Sequence, residues 1–483
     1  MTLERVKLSP LGIILILWTL SAAGAQPEAL KRRAIHEVEA QQPIVDEIAS
    51  TLWTYSETAL KESRSAAFLI DRLRAAGFRV NSSVAGMDTA FVAEFGQGAP
   101  VIGILAEFDA LPGVGNATVP RRQPRSDGVT AGHGCGHNLF AAASVGGAIA
   151  LSRVVGQAGL PGTIRLFGTP AEETLVGKVY MAKAGFFNGL DAVIDWHPGT
   201  ETRVRNQPGR AMNNFEVEFF GQAAHSSSDP WNGRSALDAV ELMNHAVNLM
   251  REHIKPTARI HYVIPAGGEA PNVVPEYARV WYYVRDINRD EVEKHYSWLL
   301  KIAEAAAMAT QTSHKTSLIT AVHEYLLNRP LQEAMQKNLE LVGPVQFSEE
   351  EQEFARALQT SFDLEPKGFD TEIKPLSPGV DALEGGSTDV AEVSYLAPTA
   401  AFEVTTAAAD IPWHSWATTA CHGTSAGRRA ALVAAKLVAT TGIDLLTDAD
   451  LIQEAKAFFL KATGGKVYAS PVPTGQAAPL PRD

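Results

Sequence analysis

Apolar positions in this chain fall into two kinds of run. Residues 101–106, Val-Ile-Gly-Ile-Leu-Ala, form an unbroken apolar stretch, the pattern of a strand buried on both faces. Residues 139–155 form a longer, Ala-rich apolar run that predicts a helix. Further strands are predicted at 78–84, 89–94, 163–167 and 192–195, and helical periodicity covers 44–59 and 65–76, the latter closed by Gly77. Strands and helices alternating in this way predict an α/β domain built on a mostly parallel sheet.

The pattern changes near Gly209. Residues 212–220 alternate as a half-buried strand, and 234–251 place Leu237, Val240, Met243, Val247 and Met250 on one side of a helix. Strands at 259–264 and 278–285 flank a turn at 271–275, followed by a helix at 290–310 and a strand at 317–324. The order βαββαβ is that of a ferredoxin-like unit. It predicts a second domain at 211–327 inserted into the first, whose parts are 26–210 and 328–464. Ser348 and Glu351 predict a capping box for a helix reaching Leu358. A strand is expected at 399–404, an Ala-rich helix at 425–440, and a loose Gly/Pro-bearing tail at 465–483.

Composition narrows the class. The 483 residues, 46% hydrophobic and 20% charged, suffice for two domains with cores and argue against disorder throughout. The net charge is −12 and no Lys/Arg cluster stands out, so no nucleic-acid partner is expected. Two cysteines, Cys135 and Cys421, cannot build a disulfide framework. Arg5 and Lys7, the short apolar run 11–20 and Ala23-Gly24-Ala25 predict a secretory signal peptide over 1–25. The run is too short for a comfortable bilayer span. A periplasmic or secreted mature chain, free of the membrane after cleavage, is therefore expected.

The chemistry centres on Gly132-His133-Gly134-Cys135-Gly136-His137-Asn138, a thin loop before the predicted helix. A helix N-terminus lowers a thiol pKa, so Cys135 is expected as a thiolate. Asp109, Glu172, Glu173 and His197 each follow the C-terminal end of a predicted strand, where open α/β sheets gather ligands. Cys135, His137, Glu173, His197 and His414 supply five ligands of the types that hold zinc and similar metals. One catalytic metal with an open position takes fewer, so two ions sharing a bridging ligand fit better, roughly 3.5–4 Å apart. In extended backbone Glu172 and Glu173 would point opposite ways, leaving one free to carry a proton.

Other interpretations remain open at this level. Cys135 could be a small buried hydrophobe, or a nucleophile with His137 or His133 as base. The Glu172-Glu173 pair could be a solvated helix start, and His197 a satisfied core histidine. His422, beside Cys421, competes with His414 as the last ligand.

Seven motifs carry a resemblance over nearly the whole mature chain. They are Ala106-Glu107-Phe108-Asp109-Ala110-Leu111-Pro112, the loop 132–138, Pro170-Ala171-Glu172-Glu173, Trp196-His197-Pro198, residues 221–225, Gly386-Ser387-Thr388-Asp389 and Pro412-Trp413-His414-Ser415-Trp416. In these the chain resembles the dinuclear-metal aminoacylase and carboxypeptidase family. The nearest branch is that of p-aminobenzoyl-glutamate hydrolases, hippurate hydrolases and auxin-conjugate amidohydrolases. The resemblance implies a metallopeptidase-like α/β catalytic domain with an inserted lid and dimerisation domain. It also implies two divalent ions per subunit, zinc or manganese, on Cys135, His137, Glu173, His197 and His414. Glu172 would be the general base and Asp109 its supporting carboxylate. His225 would reach the partner subunit's site in a homodimer to stabilise an oxyanion, and Asn272 would contact substrate. Glu107 stands where the wider family has a ligating histidine and is left out of the ligand set, because Cys135 replaces that ligand.

The expected activity is metal-dependent hydrolysis of the amide bond of an N-acyl or N-aroyl amino acid. Competing expectations are a metallo-dipeptidase or carboxypeptidase, a cysteine hydrolase, and a metal- or conjugate-binding protein without turnover.

Overall fold

The computed structural model describes residues 27–382 and 385–481; the expected signal segment lies outside them. Among the described residues eleven strands follow in chain order: β1 Arg79–Ser82, β2 Phe91–Gln97, β3 Val101–Glu107, β4 Gly162–Thr169, β5 Ala192–Gly199, β6 Arg203–Val204, β7 Ala211–Phe220, β8 Arg259–Ala266, β9 Tyr277–Asp286, β10 Ser313–Val322 and β11 Thr399–Thr405. They form a seven-stranded sheet, order β1-β2-β4-β3-β5-β11-β6, and a four-stranded sheet, order β10-β7-β9-β8.

The middle of the larger sheet, β4-β3-β5-β11, is parallel, while β1, β2 and β6 join antiparallel at the edges. The apolar run of β3 sits at its centre, buried from Ile102 onward because helices cover both faces. Helices His137–Ala158 and Ser425–Thr447 pack on each other within this core. Both are long and apolar enough to cross a membrane, and both are largely buried instead. Their small residues permit that closeness: a Cβ on Gly147 would stand 2.8 Å from the Ala435 carbonyl oxygen. The N-terminal helices Pro27–Ala40 and Gln42–Tyr55 complete this layer.

The smaller sheet is antiparallel throughout and has the 4-1-3-2 arrangement of a ferredoxin-like unit. Strand β9 alternates half-buried and buried positions along its whole length, so one face meets a core and the other does not. Helices Ala236–Met250 and Arg289–Thr310 close that core, with Val240, Met243, Val247, Leu299 and Ile302 against Phe215, Val280 and Tyr282. Ser235 and Asn288 cap the two helices by accepting backbone N–H groups three residues on. Strand β8 is an edge strand, and its Val263 and Ile264 are exposed.

Between helix Arg329–Val342 and β11, the expected Ser348/Glu351 capping box opens helix Glu349–Thr360. The expectation of a loose tail needs correction for residues 465–481. Val472 is buried in the larger core, and Lys183 Nζ donates to the carbonyls of Pro473 (2.7 Å) and Gln476 (2.6 Å). Gln476 Nε2 donates to the Leu318 carbonyl at 2.7 Å and to the Tyr180 hydroxyl at 2.8 Å. Val472, with Tyr468 and Ala478 packed on the same core, and a few polar contacts hold a segment whose composition alone reads as unstructured.

Candidate metal centre

The carboxyl ends of β3, β4 and β5 lie side by side and present Glu107 with Asp109, Glu172 with Glu173, and His197. The Cys135 loop enters from the start of helix His137–Ala158. It needs its glycines: Gly136 takes φ +86°, and a Cβ there would stand 2.8 Å from Pro198 Cβ. A Cβ on Gly132 would meet Thr419 Cγ2 at 2.6 Å.

Cys135 Sγ lies 3.3 Å from His197 Nε2, while His197 Nδ1–H is donated to the Pro198 carbonyl at 2.7 Å. That bond fixes the tautomer and turns the Nε2 lone pair toward the thiol. His137 is oriented likewise: its Nδ1–H is donated to Asp109 Oδ1 at 3.0 Å, which leaves Nε2 facing the centre. The other Asp109 oxygen accepts the Glu173 backbone N–H at 3.0 Å. His414 Nε2 is 3.5 Å from Glu173 Oε2. Two groups of ligand atoms result, Cys135–His137–His197 and Cys135–Glu173–His414, each with its atoms within 4.8 Å of one another. Cys135 belongs to both. A third group joins Glu107, His137 and Glu172.

The donor set fits divalent metal. Glu173 Oε1 is buried with no hydrogen-bond partner among the described residues, and His137 Nε2 has only the Glu107 carboxylate, 3.1 Å away. A buried acceptor left so is costly unless something else satisfies it. Thiolate, imidazole and carboxylate around one void are the ligands of zinc and related ions.

The electrostatics point the same way. Burial pushes the Cys135 thiol up to about 12, with Glu173 adding to it. The expected thiolate is thus corrected for the metal-free chain: burial and neighbouring carboxylates outweigh the helix terminus, and a cation is needed to draw the proton off. Burial also raises Glu173 to about 8 and holds Glu172 well above the carboxylate range, the latter reinforced by Glu107 and Asp389. Burial disfavours a charged His137, but Cys135 and Asp109 outweigh it and hold its pKa high.

The local backbone at the two glutamates also differs from expectation. Glu172–Thr174 is a 3-10 turn between two left-handed residues, Ala171 and Leu175, and not extended chain. The separation of the two carboxylates therefore comes from the turn. His422 lies outside both ligand groups: its Nδ1–H is donated to the His133 carbonyl at 2.7 Å, and Nε2 meets Thr406 Oγ1 at 3.1 Å. His225 and Asn272 are on neighbouring loops at the surface of the smaller domain, where the Asn272 carbonyl accepts the Ser226 N–H at 3.0 Å. Within one chain neither lines the cleft that holds the ligands.

Three buried residues at the centre escaped sequence reasoning. Lys178 Nζ is bonded to Glu107 Oε1 and Asp389 Oδ1, both at 2.7 Å, and Glu107 Oε2 stands 3.1 Å from His137 Nε2. Burial works against the Lys178 ammonium, but Asp389 and Glu107 together keep its pKa above the ordinary value. Asp389 lies in the Gly386–Asp389 motif, which was the one available signal. Nothing local marks Lys178. Glu62 is the third, bonded to the Ala171 N–H.

Above the ligands opens a cleft of about 420 Å³, with Glu172, Cys135 and His197 at its floor and Arg205, Arg285 and Ser387 among its walls. Arg285 Nε is buried there without a hydrogen-bond partner among the described residues.

Relatives of known activity share this framework. The chain is 35% identical over 465 residues to the B component of p-aminobenzoyl-glutamate hydrolase from Escherichia coli, covering 90% of this chain and 96% of that protein. The chain belongs to the M20 peptidase family. Residues 210–310 match the family's peptidase dimerisation domain. A second relative, the Xaa-Arg dipeptidase from Mus musculus, is 31% identical over 68% of this chain and 75% of its own length. Among solved structures, an aminobenzoyl-glutamate utilization protein from Klebsiella pneumoniae superposes with a TM-score of 0.59 at 17% identity, covering 84% of this chain and 97% of that one. A dinuclear metal-binding peptidase of the M20 family from Bacillus subtilis superposes with a TM-score of 0.56 at 18% identity, over 84% and 99%. Those two likenesses speak for the fold. Family membership makes this chain a metal-dependent hydrolase acting on amide bonds.

Proposed function

We propose that the chain cleaves N-acyl or N-aroyl amino acids of the p-aminobenzoyl-glutamate type, using two divalent ions, zinc or manganese, on Cys135, His137, Glu173, His197 and His414. The observation that carries the reading is the sharing of Cys135 between two ligand groups at the floor of one cleft. When bound, the ions would polarise the scissile carbonyl and make a water nucleophilic near neutral pH.

The chain's own residues do the rest. Glu172, buried at the cleft floor and raised in pKa, takes the proton of the attacking water and returns it to the leaving amine. Asp109 orients His137 through Nδ1 and Glu173 through its N–H. Arg285 and Arg205 offer the walls a charge for the substrate's carboxylate.

In this reading two copies pair through the inserted domain, and His225 of one donates to the oxyanion formed in the other. His225 Nδ1 accepts the Ser227 and Ser228 N–H groups at 3.2 and 3.3 Å, which puts its proton on Nε2 and leaves that atom as a donor. Asn272, on the adjoining loop, would contact substrate. We also place the mature chain in the periplasm or outside the cell, from residues 1–25; N-terminal sequencing of the exported protein checks this.

The identity to an Xaa-Arg dipeptidase gives a second reading, a metallo-dipeptidase using the same centre. A panel of N-acyl and N-aroyl amino acids and dipeptides, assayed for free amino acid with added zinc or manganese, separates the two. The proposal expects conjugates to be cleaved faster than dipeptides and a chelator to abolish turnover. Cleavage of dipeptides alone would favour the second reading, and activity that survives chelation would refute both.

A further inference from the structure

Glu62 binds none of the ligand side chains, yet its fully buried carboxylate faces the turn that carries Glu172 and Glu173. It precedes helix Ser63–Ala75 at the N-cap position. Its Oε1 accepts the N–H of Leu60 at 2.9 Å and the N–H of Ala171 at 3.0 Å, and its Oε2 accepts the Thr89 hydroxyl at 3.1 Å. All three donors are neutral. A buried carboxyl group is costly unless its oxygens are hydrogen-bonded, and here both oxygens are.

The residue it grips is unusual. Ala171 has φ +58°, and Leu175, on the far side of the turn, also has φ +58°. Side chains with a Cβ hold that conformation only where the surroundings over-determine it. Here the Ala171 carbonyl accepts the Val176 N–H at 3.1 Å and the Thr174 hydroxyl at 3.2 Å, and the Ala171 N–H goes to Glu62. Two residues on, the Glu173 N–H goes to Asp109 Oδ2 at 3.0 Å. Two buried carboxylates therefore hold alternate N–H groups of one short turn. Asp109 also orients His137; Glu62 contacts the centre through the turn alone.

We infer that Glu62 is a positioning residue for this centre. By holding Ala171 in the left-handed conformation it sets the direction in which Glu173 leaves the turn toward Cys135 and His414, and Glu172 toward the cleft. The inference rests on the reading of Glu173 as a ligand and Glu172 as the proton carrier. Nothing in residues 56–62 announces the role, because the partner lies 109 residues away in sequence.

The test uses the full chain with Glu62→Ala, Glu62→Gln and Glu62→Asp, loaded with zinc and dialysed. Bound zinc per chain, kcat and KM on a cleaved conjugate, and melting temperature are measured together. Glu62→Ala is expected to lose the ion held through Glu173 while keeping the one held by His137 and His197. Its kcat should fall roughly 10–100-fold at unchanged KM. Glu62→Gln keeps a carbonyl acceptor for Ala171 and should restore both metal count and kcat. If Glu62→Ala does not fold, Glu62→Asp carries the same test, since it keeps a carboxylate but withdraws it from Ala171. A variant with lowered melting temperature but the wild-type metal count and kcat would overturn the inference. A wild-type chain that binds both ions yet cleaves no conjugate would defeat the functional reading alone, since the metal count of the variants still decides the role of Glu62.

Discussion

The Nδ1–H of His422 is donated to the carbonyl of His133 at 2.7 Å, two residues before Cys135. His422 therefore supports the back of the Cys135 loop, while His414 faces Glu173 from the solvent side with about half of its side chain exposed. The two histidines, rivals for one role in the sequence, should separate in a melting experiment. His422→Phe removes this bond and leaves the His133 carbonyl only the Gly136 N–H at 3.2 Å, so it should cost about 1 kcal/mol and lower the melting temperature with or without zinc. His414→Ala should leave the metal-free melting temperature near wild type and shrink the increment that zinc adds.

Glu172→Gln keeps the shape of the side chain and removes its capacity to accept a proton. Turnover should fall by roughly 10²–10⁴-fold or more, with metal content near normal. Zinc analysis alongside steady-state kinetics checks both halves. Substantial activity in this variant would remove Glu172 from the mechanism.

The metal-free chain should lose stability as pH rises from about 6.5 to 8. Burial raises Glu62, Glu173 and Asp195 from the ordinary carboxylate value to about 8. Across that interval the folded chain holds protons that the unfolded chain has released, so stability falls with pH. Burial lowers His133 and His422 to about 3 and His414 to about 4, so their opposite contribution is complete by about pH 6.5. Metal binding needs deprotonated ligands, so the stabilisation added by zinc should grow over the same interval. Urea melts at several pH values, with and without zinc, test both slopes.

Lys178 supplies the charge that Glu107 and Asp389 share. Lys178→Met should cost about 3–5 kcal/mol, because two buried carboxylates lose their cation. Adding Glu107→Gln and Asp389→Asn should recover most of that loss in a denaturant titration. A Lys178→Met chain of wild-type stability would contradict the assigned network.

What the sequence made legible here was local. The apolar run of β3, the βαββαβ order of the smaller domain and the glycine-thinned Cys135 loop each carry their signal within a dozen residues or in a simple period. Ligand types, strand-end positions and the glycine-thinned loop suggested Cys135, His137, Glu173, His197 and His414, whose ligand atoms fall in two groups that share Cys135. The misjudged features depend on neighbours remote in the chain. Lys178 meets Asp389 across 211 residues, and no window of sequence shows that pairing. The Cys135 thiol follows its burial and the carboxylates of another strand end, which outweigh the helix start beside it.

Metal counting on Cys135→Ala tests the central claim most directly. The account predicts that the wild-type chain retains two divalent ions per subunit after dialysis, that His414→Ala retains one more firmly than the other, and that Cys135→Ala retains neither, because both groups of ligands share that sulfur. A Cys135→Ala chain that keeps both ions at wild-type affinity would contradict it.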